Sequence, residues 1–565
     1  MNALSKYTSL AAKVVRYVRS SGLGPVIATV RRNTRERRAY QEWVRIYGTV
    51  TEKDRREMLS RIEDFQEKPL ISVVVPVYNV EEPLLRKCLD SVTAQIYPNW
   101  ELCIADDAST KPHIRPVLET YAAAVGRLKL VFRKKNGHIS AASNSALELA
   151  TGEFTVLLDH DDELAVDALF WVAQELNDHP DAMMIYSDED LIDEMGARSG
   201  PKFKPDFSRD LFYSINLVTH LSAYRTSVLR KIGGFREGLE GSQDYDLALR
   251  VIENIREDQI RHIPRMLYHW RATPGSLALD LDAKPYAHAS ARRAISEHIG
   301  RTGKQAEIVE TGYLHRVRYK VPASPRVCLI LDDPAGPIGE EKIEAVRRMT
   351  NYPDLRVTTE GGREVRAARA ARLNSAVRES DGAVLCFLCA GLSPLSTDWL
   401  SELVSFAMQP DIGVVGAKLL HPDNTIAGSG LVIGAGQIVA AAHEWFLRNA
   451  PGNMSRNRLI SNYSAISVQC MVVRREVFDE AGGFDEKNFP ESLFDADLCM
   501  KIRESGRRVV VTPFSELIWL SRKADVHPTE SERASFTERW REVVENDPFY
   551  NPNLSKADAS FSIKL

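Results

Sequence analysis

Four acidic residues within five positions follow the apolar run at residues 154–158 of this 565-residue chain: Asp159, Asp161, Asp162 and Glu163. An apolar strand that ends in carboxylates brings negative charge to the edge of a sheet, where α/β proteins bind their ligands. Neighbouring carboxylates repel one another unless a cation lies between them, and hard oxygen ligands favour Mg²⁺ or Mn²⁺. The stretch predicts a metal–diphosphate site. A capping role for the same acids at a helix predicted over 166–176 fits it equally well.

The sequence around this stretch alternates predicted strands with predicted helices. Apolar and β-branched runs predict four strands, at residues 70–75, 100–105, 128–132 and 153–158. Helical spacing predicts helices at residues 84–95 and 141–150. Polar side chains gather where strands end, with Asp106 and Asp107 after the second strand and Asn136 after the third. This pattern indicates a doubly wound α/β domain whose ligand lies along the carboxyl edge of its sheet.

The composition is that of an ordinary globular protein, with 44% hydrophobic and 27% charged residues. The length predicts roughly three or four domains or subdomains. A net charge of −4 gives no general attraction to nucleic acid, so no nucleic-acid partner is expected. The seven cysteines lack zinc-type spacing and favour a reducing, cytoplasmic location. No transmembrane helix or signal peptide is expected, because no apolar run reaches about 18 residues.

The N-terminus differs from the rest in its charge. The first 46 residues hold ten lysines or arginines against only Glu36 and Glu42. Interleaved apolar residues permit basic amphipathic helices, and each basic residue near an anionic membrane adds about 1 kcal/mol of binding. A helical arm that packs on the next domain fits the composition equally well. Contact with the inner-membrane surface is therefore left open.

The second half of the chain repeats the first in weaker form. Residues 382–407 have the strand–turn–helix rhythm found around Asp159, and residues 482–502 match residues 233–251. A repeat of this length predicts two similar modules. Cys389 and Gly391 stand where the first copy has Asp159 and Asp161, and they cannot hold a hard cation.

Seven colinear segments resemble the bacterial family 2 glycosyltransferases with the GT-A nucleotide-sugar fold. They are residues 71–79, 90–109, 139–164, 186–193, 203–211, 233–251 and 262–276. The chain is most similar to the two-module members that build O-antigen, capsule and related surface polysaccharides. The resemblance implies two tandem GT-A modules, the second degenerate. It divides the chain into a basic helical segment (1–68), a catalytic domain (69–320) and a degenerate domain with a C-terminal tail (321–565).

The resemblance also implies roles for individual residues. The positions that hold the nucleotide base are Pro76, Tyr78, Asn79 and Asp107. Asp159 is expected near the ribose and diphosphate, and Arg271 on a phosphate. Asp161 and His269 are the expected ligands of a Mn²⁺ or Mg²⁺ ion. Asp244 is the expected general base, which takes the proton of the attacking sugar hydroxyl and gives inversion without a covalent intermediate.

Four neighbouring residues have less definite expectations. Asp246 is expected to be a capping or supporting acid rather than the base. Lys202 and Lys204 fit a donor or acceptor contact and a solvated surface equally well. Trp270 is expected to fill the core rather than to stack on a sugar.

These expectations combine into one function. The chain is predicted to be an inverting, metal-dependent glycosyltransferase that moves a sugar from a UDP- or dTDP-sugar to a lipid-linked oligosaccharide or polysaccharide, at the cytoplasmic membrane face. Three alternatives were weighed: a polymerase with two active modules, a non-catalytic glycan-binding scaffold, and a nucleotidyltransferase. Loss of the metal ligands at 389–391 argues against the polymerase. Retention of the acids and His269 argues against the scaffold, and Asp244 with the His-Trp-Arg element fits sugar transfer better than nucleotidyl transfer.

Overall fold

The computed structural model describes residues 23–272, 285–311, 314–321, 323–333, 338–359, 367–520 and 527–565. These residues form two large mixed β-sheets, each with helices packed on its faces. The architecture is α/β, as the alternation of strands and helices predicts. No helix within these ranges combines the length and the apolar character that crossing a bilayer requires.

Within residues 23–68, two helices precede the first sheet, α1 (Leu23–Tyr47) and α2 (Glu52–Asp64). α2 is rich in charged residues and leads to β1, and Thr51 caps it by a reciprocal pair of hydrogen bonds with Asp54. The predicted basic amphipathic helices fall partly on residues 1–22, which lie outside the described ranges.

The C-terminal part of α1 packs on the rest of the protein. Tyr40 and Trp43 are buried in a core that they share with Phe203 and with residues of the second half. The Trp43 and Phe203 rings meet edge to face at 5.3 Å. This part of α1 is therefore a packed arm, the second of the two interpretations of the N-terminus.

The first sheet has nine strands in the spatial order β3-β2-β1-β4-β8-β6-β9-β5, with β7 paired to β6. The strands are β1 (Ile71–Val77), β2 (Trp100–Asp106), β3 (Leu128–Phe132), β4 (Phe154–Leu157), β5 (Glu163–Leu164), β6 (Met184–Ile192), β7 (Arg198–Lys202), β8 (Ser222–Arg225) and β9 (Ile260–Arg271). β1 to β4 run parallel, so their carboxyl ends meet at one edge. All seven residues of β1 are buried, because helices cover both faces of the sheet.

Eight helices belong to this first module. They are α3 (Glu82–Thr93), α4 (Ile114–Ala124), α5 (His138–Leu149), α6 (Ala168–Asp178), α7 (Arg209–Phe212), α8 (Thr226–Lys231), α9 (Gln243–Ile252) and α10 (Pro285–Arg301). The predicted strands and helices are present with shifts of a few residues at their ends. A hairpin of β10 (Ala306–Thr311) and β11 (Leu314–Tyr319) leads to the second module.

The second module also contains a nine-stranded sheet, with the order β13-β12-β14-β21-β16-β22-β15 and with β17 and β20 at its sides. Its strands, with a separate β18–β19 pair, are β12 (Val327–Asp332), β13 (Leu355–Thr359), β14 (Val384–Cys389), β15 (Leu392–Pro394), β16 (Ile412–Leu420), β17 (Ile426–Gly428), β18 (Leu431–Ile433), β19 (Val439–Ala441), β20 (Ser461–Asn462), β21 (Cys470–Arg474) and β22 (Arg508–Trp519). Its helices are α11 (Glu340–Arg348), α12 (Arg369–Arg378), α13 (Trp399–Ala407), α14 (Arg475–Glu480), α15 (Phe494–Glu504), α16 (Glu530–Arg539) and α17 (Arg541–Glu545).

The strand orders of the two sheets correspond. In each module the first strand lies between its parallel neighbours, β2 and β4 in one and β13 and β14 in the other. Then follow an antiparallel strand, a parallel pair and a short antiparallel edge strand, in the same order in both. The internal repeat predicted from the sequence is thus a repeat of topology.

Buried polar contacts join the two modules. Arg508 of β22 donates through Nε to Asp210 Oδ2 at 2.8 Å, and Asn462 Nδ2 donates to the same oxygen at 2.7 Å. The C-terminal tail adds Asn551, whose Nδ2 donates to Asp188 Oδ2 of β6 at 2.8 Å. Each of these carboxylates is buried, so the contacts tie the modules together where a broken pair would leave an unpaired charge.

Candidate active site

Two carboxylates follow β4 and line a large cleft at the carboxyl edge of the first sheet. They are Asp159 and Asp161, the pair singled out from the sequence. Burial raises the pKa of Asp159, His220 opposes that shift, and the Asp161 carboxylate adds to it. The charged form of Asp159 is therefore disfavoured in the free protein. A cation between the two acids would offset both the burial and the repulsion.

The other two acids of the stretch hold strand β9. Tyr268 Oη donates to Asp162 Oδ2 at 2.6 Å, and Arg271 N donates to Asp162 Oδ1 at 2.7 Å. Glu163 forms an ion pair with Arg271. Because α6 begins only at Ala168, none of the four acids lies in its first turn, and the helix-capping interpretation is wrong.

Arg271 lies inside the protein rather than on the cleft. Its side chain is buried, Nε donates to Asp161 O at 2.8 Å, and Nη1 donates to Asp193 O at 3.1 Å. The ion pair with Glu163 engages the remaining side of the guanidinium. Protein acceptors occupy the guanidinium that would make the phosphate contact expected for Arg271, and that contact stays a prediction. Arg271 fixes the backbone of the turn that carries Asp161.

His269 faces the opposite side of β9 from its neighbours. Tyr268 and Trp270 line the cleft and His269 does not, as the two-residue period of a strand requires. His269 Nδ1 lies 2.6 Å from Asp190 Oδ1, and the Tyr40 hydroxyl donates to Oδ2 of the same carboxylate. A histidine held on one nitrogen by a carboxylate can ligate a metal through the other. The metal-ligand role of His269 stays a prediction, and Nε2 is the atom that would carry it.

Three of the four residues expected to hold the nucleotide base line the cleft. Pro76 lies near the end of β1 and Tyr78 follows that strand, where it is 45% exposed. Asp107 follows β2, and its carboxylate oxygens accept the N–H of Gly137 at 3.0 and 3.1 Å. Arg133 approaches the same carboxylate at 3.4 Å. This buried acid is thus held at the strand end by the first turn of α5.

Asn79, the fourth of these residues, is not on the cleft. Its Oδ1 accepts the N–H groups of Thr110 and Lys111 at 2.8 and 3.1 Å, and its own N–H donates to Ser109 Oγ at 3.0 Å. Asn79 shapes the loop after β2, beside Asp107, and the direct base contact expected for it stays a prediction.

Asp244 lies in the first turn of α9 and lines the same cleft as the β4 acids. Asn216 Nδ2 and Thr219 Oγ1 both donate to its Oδ2 at 2.9 Å. Burial is the main cause of the raised pKa of Asp159, and the negative charge of Asp244 contributes to it. The acid expected to be the base and the acids expected to hold the metal are thus within electrostatic reach of one another.

His220 is a cleft residue that the sequence did not identify. Its Nδ1 lies 2.8 Å from Glu189 Oε2, and its ring stacks on Tyr268 at 4.5 Å. Burial raises the pKa of Glu189, but nearby lysines and His220 lower it well below its usual range. Glu189 is therefore charged and holds His220 beside Asp159. The signal available in the sequence was the buried acid of the YSDEDLID strand, which requires a partner.

The less definite expectations are also resolved. Lys202 lines the cleft with its Nζ 4.8 Å from the centre of the Trp270 ring, and Trp270 is packed partly on the core and partly on the cleft. Lys204 is buried and donates to the carbonyls of Thr219 and His220, so it supports the loop that carries His220. Lys204 therefore does not belong to a solvated surface, whereas the Lys202 side chain is 37% exposed and pairs with Glu189.

Asp246 is a supporting acid, as expected. It is fully buried and pairs with Arg236 and Arg250. Arg250 Nη2 also donates to Gly234 O at 2.6 Å. These contacts fix the loop before α9, which places Asp244 at the cleft.

The chemistry of the donor set fits a small divalent cation. Asp159 and Asp161 supply hard oxygen atoms, and the raised pKa of Asp159, caused first by burial, indicates that its charge lacks compensation in the protein alone. Within the described ranges, no group of three His, Cys, Asp or Glu side chains is close enough to hold a metal. Mg²⁺ in proteins is commonly bound by one or two carboxylates together with substrate phosphates.

Comparison with known proteins agrees with this geometry. Residues 72–233 match the family described as glycosyl transferase family 2. The matched segment runs from β1 past the acids of β4 to the loop after α8. Residues 72–233 thus form a domain of the family 2 glycosyltransferases.

Two relatives extend the similarity beyond that segment. An uncharacterized protein of Sinorhizobium fredii is 40% identical over 558 residues, which cover 91% of this chain and 61% of that protein. The O-antigen biosynthesis protein RfbC of Myxococcus xanthus is 34% identical over 525 residues, which cover 86% of this chain and 40% of that protein. The chain thus spans less than two thirds of the length of either relative.

Solved structures are similar over a smaller part. The crystal structure of S. aureus TarS 1–349 is 22% identical and matches 40% of this chain and 65% of that chain, with a TM-score of 0.33.

Proposed function

We propose that the first module is an inverting glycosyltransferase with a GT-A fold. It moves a sugar from a nucleoside-diphosphate donor, UDP- or dTDP-linked, to a growing bacterial surface polysaccharide of the O-antigen or capsule type. The observation that carries this proposal is the meeting of Asp159, Asp161 and Asp244 in one cleft. The family match and the similarity to an O-antigen biosynthesis protein support the substrate class.

The donor would lie along the ends of β1, β2 and β4. Tyr78, exposed at the cleft, offers a ring for the base, and the Asp107 carboxylate accepts its N–H donors. Asp159 and Asp161 would hold Mg²⁺ or Mn²⁺ beside the diphosphate. When bound, the cation neutralises the charge that develops on the departing nucleotide. Lys202 and His220 line the cleft near this position and are the candidate partners for the phosphate oxygens.

Asp244 would take the proton of the acceptor hydroxyl. Asn216 and Thr219 donate to its Oδ2, which holds the carboxylate in one orientation, and we assign the proton to Oδ1. A single carboxylate used as base requires the acceptor to attack on the face opposite the leaving nucleotide. The outcome is inversion at the anomeric carbon.

The second module is proposed to have no transfer site of its own, and the enzyme to act at the cytoplasmic face of the inner membrane. Cys389 at the end of β14 offers a soft ligand instead of a carboxylate, and burial raises the pKa of its thiol to about 11. A thiol that is neutral at physiological pH does not attract Mg²⁺.

A screen of UDP- and dTDP-sugars for nucleotide release tests the proposal, with Mn²⁺ or Mg²⁺ present and then with EDTA. Release by the full chain should depend on the metal and should fall by about 1,000-fold or more in Asp161→Asn. Cys389→Ala is the matched change at the corresponding strand end and should leave release unaltered. Metal-independent release, or release retained by Asp161→Asn, would contradict the assignment.

A further inference from the structure

The cleft is too large for the donor alone. Its volume is 1810 Å³, whereas pockets for one small ligand span roughly 300–1,000 Å³. The strand-end acids occupy only the part contributed by the first module. The rest of the lining includes residues of α1, of α10 and β11, and of the second module with its C-terminal tail.

The two sides of the cleft differ in charge. The first-module side holds six carboxylates, one lysine and five histidines: Asp107, Asp159, Asp161, Glu189, Glu240, Asp244, Lys202, His138, His160, His220, His288 and His315. Among the described residues, eleven from segments 446–455 and 554–563 line the cleft, and all eleven are uncharged. They combine apolar groups such as Phe446, Met454 and Phe561 with the amide of Asn453 and the hydroxyls of Ser455 and Ser560.

The uncharged side is held rigidly. Gly452, Met454 and Ser455 have φ values of 69°, 50° and 60°, and a non-glycine residue in this region costs about 1–3 kcal/mol of strain. Arg456 next to them is buried and donates to the carbonyls of Phe549 and Asn462, both at 2.8 Å. The backbone of this segment is therefore fixed by its surroundings in a shape that the chain alone would not favour.

We propose that segments 446–455 and 554–563 form the binding wall for an uncharged saccharide acceptor. Saccharide rings combine apolar C–H faces with hydroxyl groups, and this wall offers apolar side chains beside one amide and two hydroxyls. Asp244 lines the same cleft, so a chain seated on the wall has continuous access to the proposed base. The assignment rests on the proposed transferase function, and it makes the second module a part of the acceptor site.

Charge substitution in the wall tests the assignment. Met454→Asp and Ser455→Asp each add a negative charge to it, and Met454→Asn and Ser455→Asn are the matched neutral controls. Asp and Asn have nearly the same size and both tolerate a positive φ, so each pair differs only in charge. Binding of neutral oligosaccharides of glucose, galactose, mannose, rhamnose or N-acetylglucosamine is measured with the full chain by saturation-transfer NMR, with oligogalacturonate as the anionic probe.

At least one neutral oligosaccharide should bind the full chain, and both Asp variants should weaken it about tenfold or more while the Asn variants change it about twofold at most. Any of three results would contradict the proposed acceptor-binding wall. They are binding that survives in both Asp variants, binding of oligogalacturonate instead, and no binding by any neutral probe. UDP binding with Mg²⁺ is measured by calorimetry in the same proteins and should be equal in all of them. Absence of UDP binding and nucleotide release, with oligosaccharide binding intact, would count against the transferase and not against the wall.

Discussion

The turns after β4 and β14 occupy the same place in two matching sheets, but they differ in how the charge of their buried acids is compensated. After β4, Asp159 and Asp161 crowd negative charge at the cleft, and burial with mutual repulsion raises the pKa of Asp159. After β14, Cys389 pairs across the sheet with Asp332 of β12, and Arg369 Nε donates to Asp332 Oδ2 at 2.8 Å. Among the described residues, no lysine or arginine forms an ion pair with Asp159 or Asp161, whereas Arg369 pairs with Asp332 in the second module.

The position of Arg369 can be matched to the first module through a shared contact. Asn144 of α5 donates to Phe235 O at 2.8 Å, and Asn374 of α12 donates to Phe484 O at 2.9 Å. Arg369 lies five residues before Asn374, which corresponds to Ile139 before Asn144. Ile139 lines the open cleft of the first module, whereas the Arg369 side chain is only 11% exposed.

The guanidinium of Arg369 is thus buried beside the turn that follows β14. Burial lowers its pKa, but Asp332 and then Asp495, the acid that matches Asp244, raise it. A fixed internal cation satisfies a buried acid permanently, whereas a site for an exchangeable cation has to leave its acids unsatisfied. In the second module, fixed compensation of charge by Arg369 stands in place of the exchangeable cation that is proposed for the first module.

The largest test of this comparison concerns the two matched acids. Asp244→Asn should lower the rate of sugar transfer about 100- to 10,000-fold, because the amide cannot accept the proton of the attacking hydroxyl. Asp495→Asn should leave the rate within about twofold. Transfer from the donor found in the nucleotide-sugar screen is measured for both, with UDP or dTDP binding as a check of folding. A similar loss in Asp495→Asn would show that the second module takes part in the chemistry and would revive the two-site polymerase.

The next test removes the internal cation. Arg369→Met should lower the free energy of unfolding by about 3 kcal/mol, because it leaves the buried Asp332 carboxylate without its partner. Arg378→Met on the same helix is the control, since Arg378 is 67% exposed and its loss should cost less than about 0.5 kcal/mol. Urea unfolding followed by circular dichroism measures both.

A double variant separates charge from packing in this test. Adding Asp332→Asn to Arg369→Met removes the unpaired charge and should restore part of the lost stability. If Arg369→Met alone is as stable as the unaltered protein, the pair with Asp332 contributes nothing and the contrast between the two turns is wrong.

The comparison of the two turns also requires that the modules form one folded unit. The pH dependence of stability that His262 of β9 causes tests this requirement. Burial lowers the pKa of His262, but Asp188 and Asp206 raise it to about 9. Both acids also bind the tail, through Asn551 Nδ2 and through the N–H of Asp206, which donates to Pro548 O at 2.7 Å. Since the folded pKa lies above the ordinary value of about 6.5, this contribution is fully present below pH 6.5 and is lost as pH rises toward 9.

The expected change is about 3 kcal/mol in the free energy of unfolding between pH 6 and pH 9. His262→Gln should remove most of that difference while it lowers stability at pH 6. Urea midpoints at the two pH values measure it. An unaltered pH dependence in His262→Gln would mean that other groups cause the loss.

Much of this arrangement could be predicted from the sequence because it depends on local patterns. The strands β1 to β4 are apolar and β-branched, and Asp107, Asp159 and Asp161 follow them directly. The repeat of the second half was visible in the GGF and DxDL segments around Asp244 and Asp495. Colinear strand ends of a parallel sheet meet at one edge, so these residues had to meet.

The errors come from contacts that local patterns do not encode. The sequence does not specify which face of β9 borders the cleft, and a choice of the wrong face moves alternate side chains together. Trp270, expected in the core, packs on the core and also lines the cleft, and Arg271, expected on a phosphate, has its side chain buried among protein acceptors. His220 could not be found because its place depends on Glu189, a residue of another strand.

The pairing of the edge strands also shows which residue of the second module corresponds to His269. Glu163 faces His269 across β5 and β9, and Ser393 faces Ile518 across β15 and β22. The position of His269 is therefore taken by Ile518 in the second module. An aliphatic side chain at this position cannot ligate a metal.

The smallest expected effect is a change in stability whose sign differs between the two modules. In EDTA, Asp161→Asn should raise the free energy of unfolding by about 1 kcal/mol, because it removes a carboxylate that, after burial, adds to the raised pKa of Asp159. In the second module, Arg369→Met should instead lower the free energy of unfolding, since the charge that it removes is the compensating one. Urea midpoints of both variants and of the unaltered chain are compared with EDTA and then with Mg²⁺ and UDP. Ligand should stabilise the unaltered chain and reverse the order with Asp161→Asn, because a ligand that binds only the folded state adds to its stability. Equal midpoints in EDTA would mean that the first turn stores no electrostatic strain, and the two turns would then differ in residue type alone.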